Sequence, residues 1–364
     1  MIRHAAVLLS RQPLRPTATT PWVAAAVRAV RWLKENDWGL VSSTGLQTWE
    51  LLTALASLER IPLKLILPVT SQSEYLVARA SQTLQFALDR SLVHFMAPSD
   101  SHNRTAVMAQ RDQAVVDGAE LLVPVSIRSG GTMAELLTQA EASGRPVERR
   151  FATEYQAEGP ALKLSLEGMP LPHEIETFAD DLVIHWTRAT SYAWPQERLI
   201  EYYNDILNSE SWPRSGFRTL KRILDHRRII ASPRHMPSNI PTVSFSALRP
   251  SEAVPLMKWR ARYGHMTFEP YGIGLRKSEA EAVGILPVTY YDREEEPEID
   301  PAQVWQWQSK GIITDWTAEE EYRFAGDVSL VGLAPDAVTL FCLNGAEAVE
   351  LRGRYPYRVL SFLA

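Results

Sequence analysis

The first 150 residues alternate short, wholly apolar runs with longer stretches in which apolar side chains recur every three or four positions. Continuous apolar runs suit strands buried on both faces, and the longer spacing suits helices with one apolar stripe. On that pattern residues 5–10, 39–43, 63–68, 92–96 and 120–125 are predicted as strands. Helices are predicted over 22–35 (Val23, Ala26, Val27, Val30 and Leu33 on one face), 48–59, 74–89, 104–117 and 132–143. Strands separated by helices of this length give parallel βαβ units, right-handed crossovers and helices on both faces of the sheet. Such sheets bind ligands beyond the carboxyl ends of their strands.

From 153 to 178 the periodicity lapses, and Gly159-Pro160, Gly168-Met169-Pro170 and Leu171-Pro172 punctuate the chain. This composition marks a linker between a domain at 1–152 and another at 179–364. Beyond 179 strands are predicted at 182–186, 242–246, 272–275, 286–291 and 322–324, with helices at 198–208 and 217–227. The predicted fold class is therefore α/β: a Rossmann-like parallel-sheet N-terminal domain plus a C-terminal α+β domain with a mostly antiparallel or mixed sheet. Asp292–Asp300, acidic and Pro-interrupted, reads as a solvated loop.

Composition narrows the function classes. A length of 364 residues fits two domains. A net charge of −5 supplies no general basic field, so nucleic acid is not the favoured partner. The single cysteine, Cys342, excludes an intramolecular disulfide and a cysteine-based zinc cluster, and its apolar run (Val338–Leu343) makes it a core residue. His102 and His185 are too isolated to propose a metal site. No segment approaches the ~20 apolar residues of a membrane span, and Ala5–Leu9 is too short for a signal sequence. A cytoplasmic protein without a membrane partner is expected. The basic run Lys221, Arg222, His226, Arg227, Arg228, Arg234 and His235 reads as the wet face of a helix buried through Leu220, Ile223 and Leu224. Trp259, Trp305, Trp307 and Trp316 are assigned to packing rather than to base stacking.

Three strand ends carry small or polar residues: Ser10-Arg11, Ser43-Thr44-Gly45 and Arg128-Ser129-Gly130-Gly131-Thr132. Glycines let backbone N–H groups approach a phosphate, and the helix beginning at Thr132 aims its positive end at an anion. Arg11, Arg111 or Arg128 could neutralise the charge. A lone Gly-Gly also serves a tight turn; three such loops in one βαβ array favour nucleotide binding.

The stretch RDQAVVDGAELLVPVSIRSGGTMAELLTQAEASGRPV, with LLSR and VSSTG upstream, resembles the SLOG superfamily of DNA-processing protein A (Smf) and Lonely-guy proteins. That resemblance implies a Rossmann-like domain over about 5–150 that holds a nucleotide-derived small molecule. Gly131-Thr132-Met133-Ala134-Glu135 is similar to the Gly-Thr-x-x-Glu of the phosphoribohydrolase branch, which would make Arg111 and Glu135 its catalytic pair. The loop is shorter here than in that branch, and Glu135 also fits a first-turn carboxylate interacting with the helix dipole.

In the second half, His185-Trp186-Thr187, VSFSALRP, FEPYGIGLRK and WTAEEEYR follow in an order that resembles ADP-ribosyltransferase-like abortive-infection proteins. The resemblance implies NAD as substrate, with His185 bonding the ribose, Tyr271 stacking on nicotinamide and Glu321 holding the 2′-hydroxyl. A carboxylate stabilises the positive charge that builds when the N-glycosidic bond breaks. Tyr271 equally suits a core, and Glu319-Glu320-Glu321 an exposed charge run. The leading expectation is a SLOG-like domain that senses or processes a nucleotide-derived molecule and is coupled to an effector-like domain, by resemblance in stress or phage defence. The rivals are a phosphoribohydrolase, an NAD-consuming transferase and a DNA-binding protein, with homo-oligomers left open.

Overall fold

The computed structural model describes residues 2–97, 103–157, 164–233, 236, 239–260, 264–292, 294, 297–311 and 316–364. Gly159-Pro160 of the predicted linker, His102, Arg234 and His235 lie outside them. The chain divides into two compact units: 1–160 with 191–213, and 161–190 with 214–364.

In the first unit, β1 (Arg3–Leu9), β2 (Trp38–Ser43), β3 (Leu63–Ile66), β4 (Val93–Met96) and β5 (Leu121–Ser126) form one sheet in the order β4-β3-β2-β1-β5. Every pairing in it is parallel. The connecting helices are α1 (Pro21–Glu35), α2 (Gln47–Glu59), α3 (Gln72–Gln85) and α4 (Arg104–Asp117), and α5 (Thr132–Ala142) follows β5. This is the α/β, Rossmann-like architecture anticipated from the apolar pattern. In β1, Ala5 to Leu8 are wholly inaccessible, because helices cover both faces of a central parallel strand. Helix α1 starts on Pro21, whose missing N–H would be unbonded there in any case, and buries Val23, Ala26, Val30 and Leu33. Helix α2 is buried nearly all round, including Trp49, Leu52 and Leu55, because α1 and the helix Leu199–Asn208 both pack on it. That last helix was expected within the C-terminal half; its amphipathic face instead closes over the N-terminal sheet's helices.

Pro124 sits within β5, where a central strand would lose a ladder hydrogen bond. Leu122 directs its N–H to Pro146 O (3.0 Å) and its C=O to Glu148 N (2.8 Å) on the outer edge, so Pro124, two residues on, presents its missing donor to that same edge. Just beyond it the β1–β5 register shifts between Leu8 and Leu9. Such irregularities re-aim the residues that follow. Here the shift brings Ser126 O within 2.9 Å of Ser10 N.

The second unit is built on a seven-stranded mixed sheet. Across it run Leu286–Pro287, Glu321–Ala325, Thr242–Ser246, Leu182–Thr187, Tyr271–Arg276, Val338–Cys342 and Arg358–Ser361. All pairings are antiparallel except the last. One face packs Val183, Phe245, Ile273 and Leu340 against the helices Gly216–His226 and Gly345–Arg354 through Leu220, Leu224, Ala348 and Leu351. The other packs Ile184, Trp186, Phe341 and Phe362 with Ile175 and Phe178. The run predicted as one strand over 286–291 is two: Leu286–Pro287 edges the large sheet, whereas Thr289–Tyr291 pairs with Trp307–Ser309. Pro287 lacks the N–H a continuous ladder requires. Among the described residues no helix is long and apolar enough to cross a membrane.

Leu40, in the middle of β2, has no exposed surface. Leu40→Ala should destabilise the first unit by about 2–5 kcal/mol, by lost transfer energy plus an unfilled cavity. The measurement is a shift of the urea midpoint with an unchanged denaturant slope.

Candidate functional site

From β1 the chain moves outward through β2, β3 and β4, then crosses back to lay β5 on the other side of β1. The sheet's order therefore reverses between β1 and β5, which makes the carboxyl ends of these two strands the switch point at which open parallel sheets place their ligands. Two of the three loops chosen from the sequence flank it, and the third leaves the adjacent β2. The β5 loop is tied to the β1 loop: Arg128 N–H donates to Ser10 Oγ (2.9 Å), and Gln12 Nε2 donates to both Ser10 O and Ser126 O (3.2 Å each). Arg11, Arg128, Ser129, Gly130 and Thr132 are exposed, while Gly131 is half-buried. Gly130 has φ +67°, a left-handed conformation that favours glycine.

Helices α1, α2 and α5 all begin at this edge. Their N-cap residues, Thr20, Leu46 and Gly131, make no side-chain capping bond. Helix α3, further from that switch point, is capped by Ser71 Oγ accepting from Glu74 N. A helix start without a side-chain cap keeps backbone donors available and carries the positive end of the dipole. The same edge collects buried polar atoms that have no partner among the described residues: Gln12 Oε1, Ser126 Oγ, Gln47 Oε1, Thr48 Oγ1 and Trp22 Nε1. Such atoms are costly to bury and are normally satisfied by water or a bound group. Gln12, Gln47, Thr48 and Ser126 escaped the sequence reading, because a polar residue at a loop or helix start looks the same whether it faces solvent or a crevice.

The β2 loop is held from two sides. Ser43 Oγ donates to Ile66 O (2.7 Å), so that hydroxyl serves the sheet. Arg111, 4% exposed, donates from Nη1 to Thr44 O (3.3 Å) and from Nε to Asp112 Oδ1 (3.0 Å). Asp112 also accepts from Trp49 Nε1 (3.1 Å). Gly45, at φ +83°, donates its N–H to Glu50 Oε1 (3.2 Å), and Glu50 Oε2 accepts from Tyr203 Oη (2.7 Å). Burial raises the Glu50 carboxyl above its ordinary value, opposed by the Tyr203 and Gly45 hydrogen bonds and by Arg111. Arg111 is thus brought to the β2 loop. Glu135 lies exposed in the first turn of α5, and the ion pair of Arg111 is with Asp112.

The residues singled out in the second unit are not gathered into one constellation. Tyr271 pairs with Thr187 and Ile273 with His185, so Tyr271 and His185 share a face of the sheet. Glu321 pairs with Ser246, which pairs with Ile184, and so belongs to the opposite face. Tyr271 is buried against Phe217, and its hydroxyl donates to Glu347 Oε1 (3.1 Å). Burial, with Glu347 beside it, holds its hydroxyl far above the usual range. His185 contributes Nδ1 to a 2.9 Å contact with Ser244 O; the carbonyl only accepts, so Nδ1 carries the hydrogen. Burial lowers its pKa, which favours the neutral ring. Glu321 is gripped by Arg323, which donates Nε to Oε1 and Nη2 to Oε2 (2.8 Å each). Arg323 is also bonded to Trp305 O (3.1 Å) and Gln308 Oε1 (2.9 Å). Two residues before Glu321, burial and then the Glu321 charge push the Glu319 carboxyl up to about 7.

No protein-family model matches the sequence, and no curated protein matches it. Among solved structures, DNA processing protein A (DprA) from Streptococcus pneumoniae is similar, with 10% sequence identity and a TM-score of 0.27. The match covers 40% of this chain and 49% of that one, so the chain spans about half the length of that protein.

The Glu319 shift has a consequence for pH. A carboxyl raised on folding binds its proton more tightly in the folded than in the unfolded chain, so stability is full below the ordinary value of 4.5 and falls as pH rises toward about 7. Glu319→Gln should therefore raise the melting temperature at pH 8 and leave it nearly unchanged at pH 4.5. Melts of both proteins across that range check the sign.

Proposed function

We propose that the parallel-sheet unit binds a phosphate-bearing, nucleotide-derived small molecule at the carboxyl edge of β1, β2 and β5. The observation that carries this reading is the coincidence at one edge of three helix starts without side-chain caps and five buried polar atoms without partners among the described residues. Backbone donors at helix N-termini suit phosphate oxygens. Gln12, Thr48 and Ser126 add side-chain groups for the remainder of the ligand, and Arg11 and Arg128 add charge at the rim. Binding, rather than cleavage of a glycosidic bond, is the activity assigned. The Arg111 guanidinium is engaged by Thr44 O and Asp112, and Glu135 stands exposed without an ion pair to Arg111.

A ligand that binds only the folded state stabilises it by mass action, by about 2.7 kcal/mol at a hundred times its dissociation constant. One or more nucleoside mono- or diphosphates should therefore raise the melting temperature by several degrees. Gly131→Asp should abolish that rise while leaving the unliganded melt close to wild type, because φ −99° at this residue suits any side chain and the new carboxylate repels the phosphate. A broad nucleotide panel that moves neither protein would defeat the reading.

A further inference from the structure

The segment 191–213 belongs in space to the first unit, although the chain on either side of it, 161–190 and 214–364, builds the second. It is fastened at four points. Near its start, Ser191 Oγ accepts from Arg15 Nε (3.3 Å), and near its end Ser209 O accepts from Ala18 N (2.9 Å). Arg15 and Ala18 both lie in the loop that follows β1. Between them the helix Leu199–Asn208 directs Tyr203 onto Glu50, the residue that occupies the Gly45 N–H of the β2 loop. Tyr203 is 1% exposed, stacked on Phe86 with ring centroids 6.2 Å apart and set edge-on to Tyr202 at 4.9 Å. The Leu199 N–H donates to Gln85 Oε1 (3.1 Å), which fixes the start of the helix. Gln47 Nε2 donates to Leu14 O (3.0 Å) and joins the β1 and β2 loops to one another.

The contacts of Arg15, Ala18, Gln47 and Glu50 converge on the loops that follow β1 and β2. A phosphate approaching the β2 loop meets the Glu50 carboxylate, a charge of its own sign, already seated on the Gly45 N–H. We propose that Glu50 is an autoinhibitory latch on this edge, kept closed by Tyr203, and that an anionic ligand binds by displacing the carboxylate and freeing Tyr203. This inference rests on the binding reading above and adds its regulation. Displacement loosens the middle of a strap whose two ends continue directly into the strands and helices of the second unit. A ligand can shift such an equilibrium only by its preference for one state, and competition for the Gly45 N–H supplies that preference.

Removing the latch should tighten binding, an outcome that mere damage to the fold does not produce. In isothermal titration of the full chain with AMP, and separately with inorganic phosphate, Tyr203→Phe is expected to bind several-fold to about tenfold more tightly than wild type. Glu50→Gln, which removes the charge and retains the side-chain shape, should shift affinity in the same direction. Unchanged or weaker affinity in both folded variants overturns the latch and leaves the binding reading standing. Hydrogen exchange without ligand supplies the second arm: Tyr203→Phe should speed exchange of the amides at 45–46 and of 199–208 together by several-fold. Unchanged exchange at 45–46 also overturns the latch. Coupled acceleration, with no AMP or phosphate binding in any variant, supports the link between strap and loop, removes the binding reading, and overturns the claim that the latch opposes an anion.

Discussion

Strand β1 is the constraint on which the first unit depends. It pairs with β2 on one side and β5 on the other, and the chain reaches these neighbours by moving in opposite directions across the sheet. With right-handed crossovers that reversal sends the connecting helices to different faces and leaves the loops of β1 and β5 without a shared helix between them. The site is thus a product of strand order rather than of any one loop. The register shift after Leu8, next to Pro124, completes it by linking Ser10 to Ser126. Were β5 placed beside β4 instead, the same loop sequences would stand apart at opposite ends of the sheet.

The edge so formed joins donors and acceptors of different kinds. No cap side chain takes a backbone N–H at the starts of α1, α2 and α5, and buried side-chain atoms of Gln12, Thr48 and Ser126 have no partner among the described residues. Arg111, by contrast, is spent on Thr44 O and Asp112, which makes it a brace for the β2 loop. Glu50 plays the opposite part: it occupies a donor of that loop and is itself held by Tyr203. A single loop is therefore stiffened from one side by a cation and restrained from the other by a carboxylate.

The second unit shows how ion pairs absorb residues that a motif would make reactive. Glu321 has both oxygens bonded by Arg323, whose other donors are taken by Trp305 O and Gln308. Breaking such a buried pair by removing one partner is costly, so its geometry is persistent. Tyr271 is similarly committed, its ring to Phe217 and its hydroxyl to Glu347. These are features of a folded core, with His185 on the same face as Tyr271 and Glu321 on the other.

What the sequence determined by itself was the class of each element in the N-terminal half. Ala5–Leu8 suit a strand covered on both faces, and the stripe through Val23, Ala26, Val30 and Leu33 suits a helix lying on it, as both are found buried. The three polar loops were legible too, because Gly45 and Gly130 stand out where the chain must turn. The strands Val338–Cys342 and Arg358–Ser361 and the helix Gly345–Arg354 were hidden: an apolar run of five does not declare its partner, and the helix buries only Ala348 and Leu351. Only the tertiary structure decided which loops meet, that His185 and Glu321 emerge on opposite faces, and that residues 191–213 serve the first unit. Local pattern fixes whether a segment has an apolar face; which surface covers that face depends on contacts distant in sequence. Tyr203 illustrates the difference, since nothing around it in the chain announces that its hydroxyl meets Glu50, 153 residues earlier.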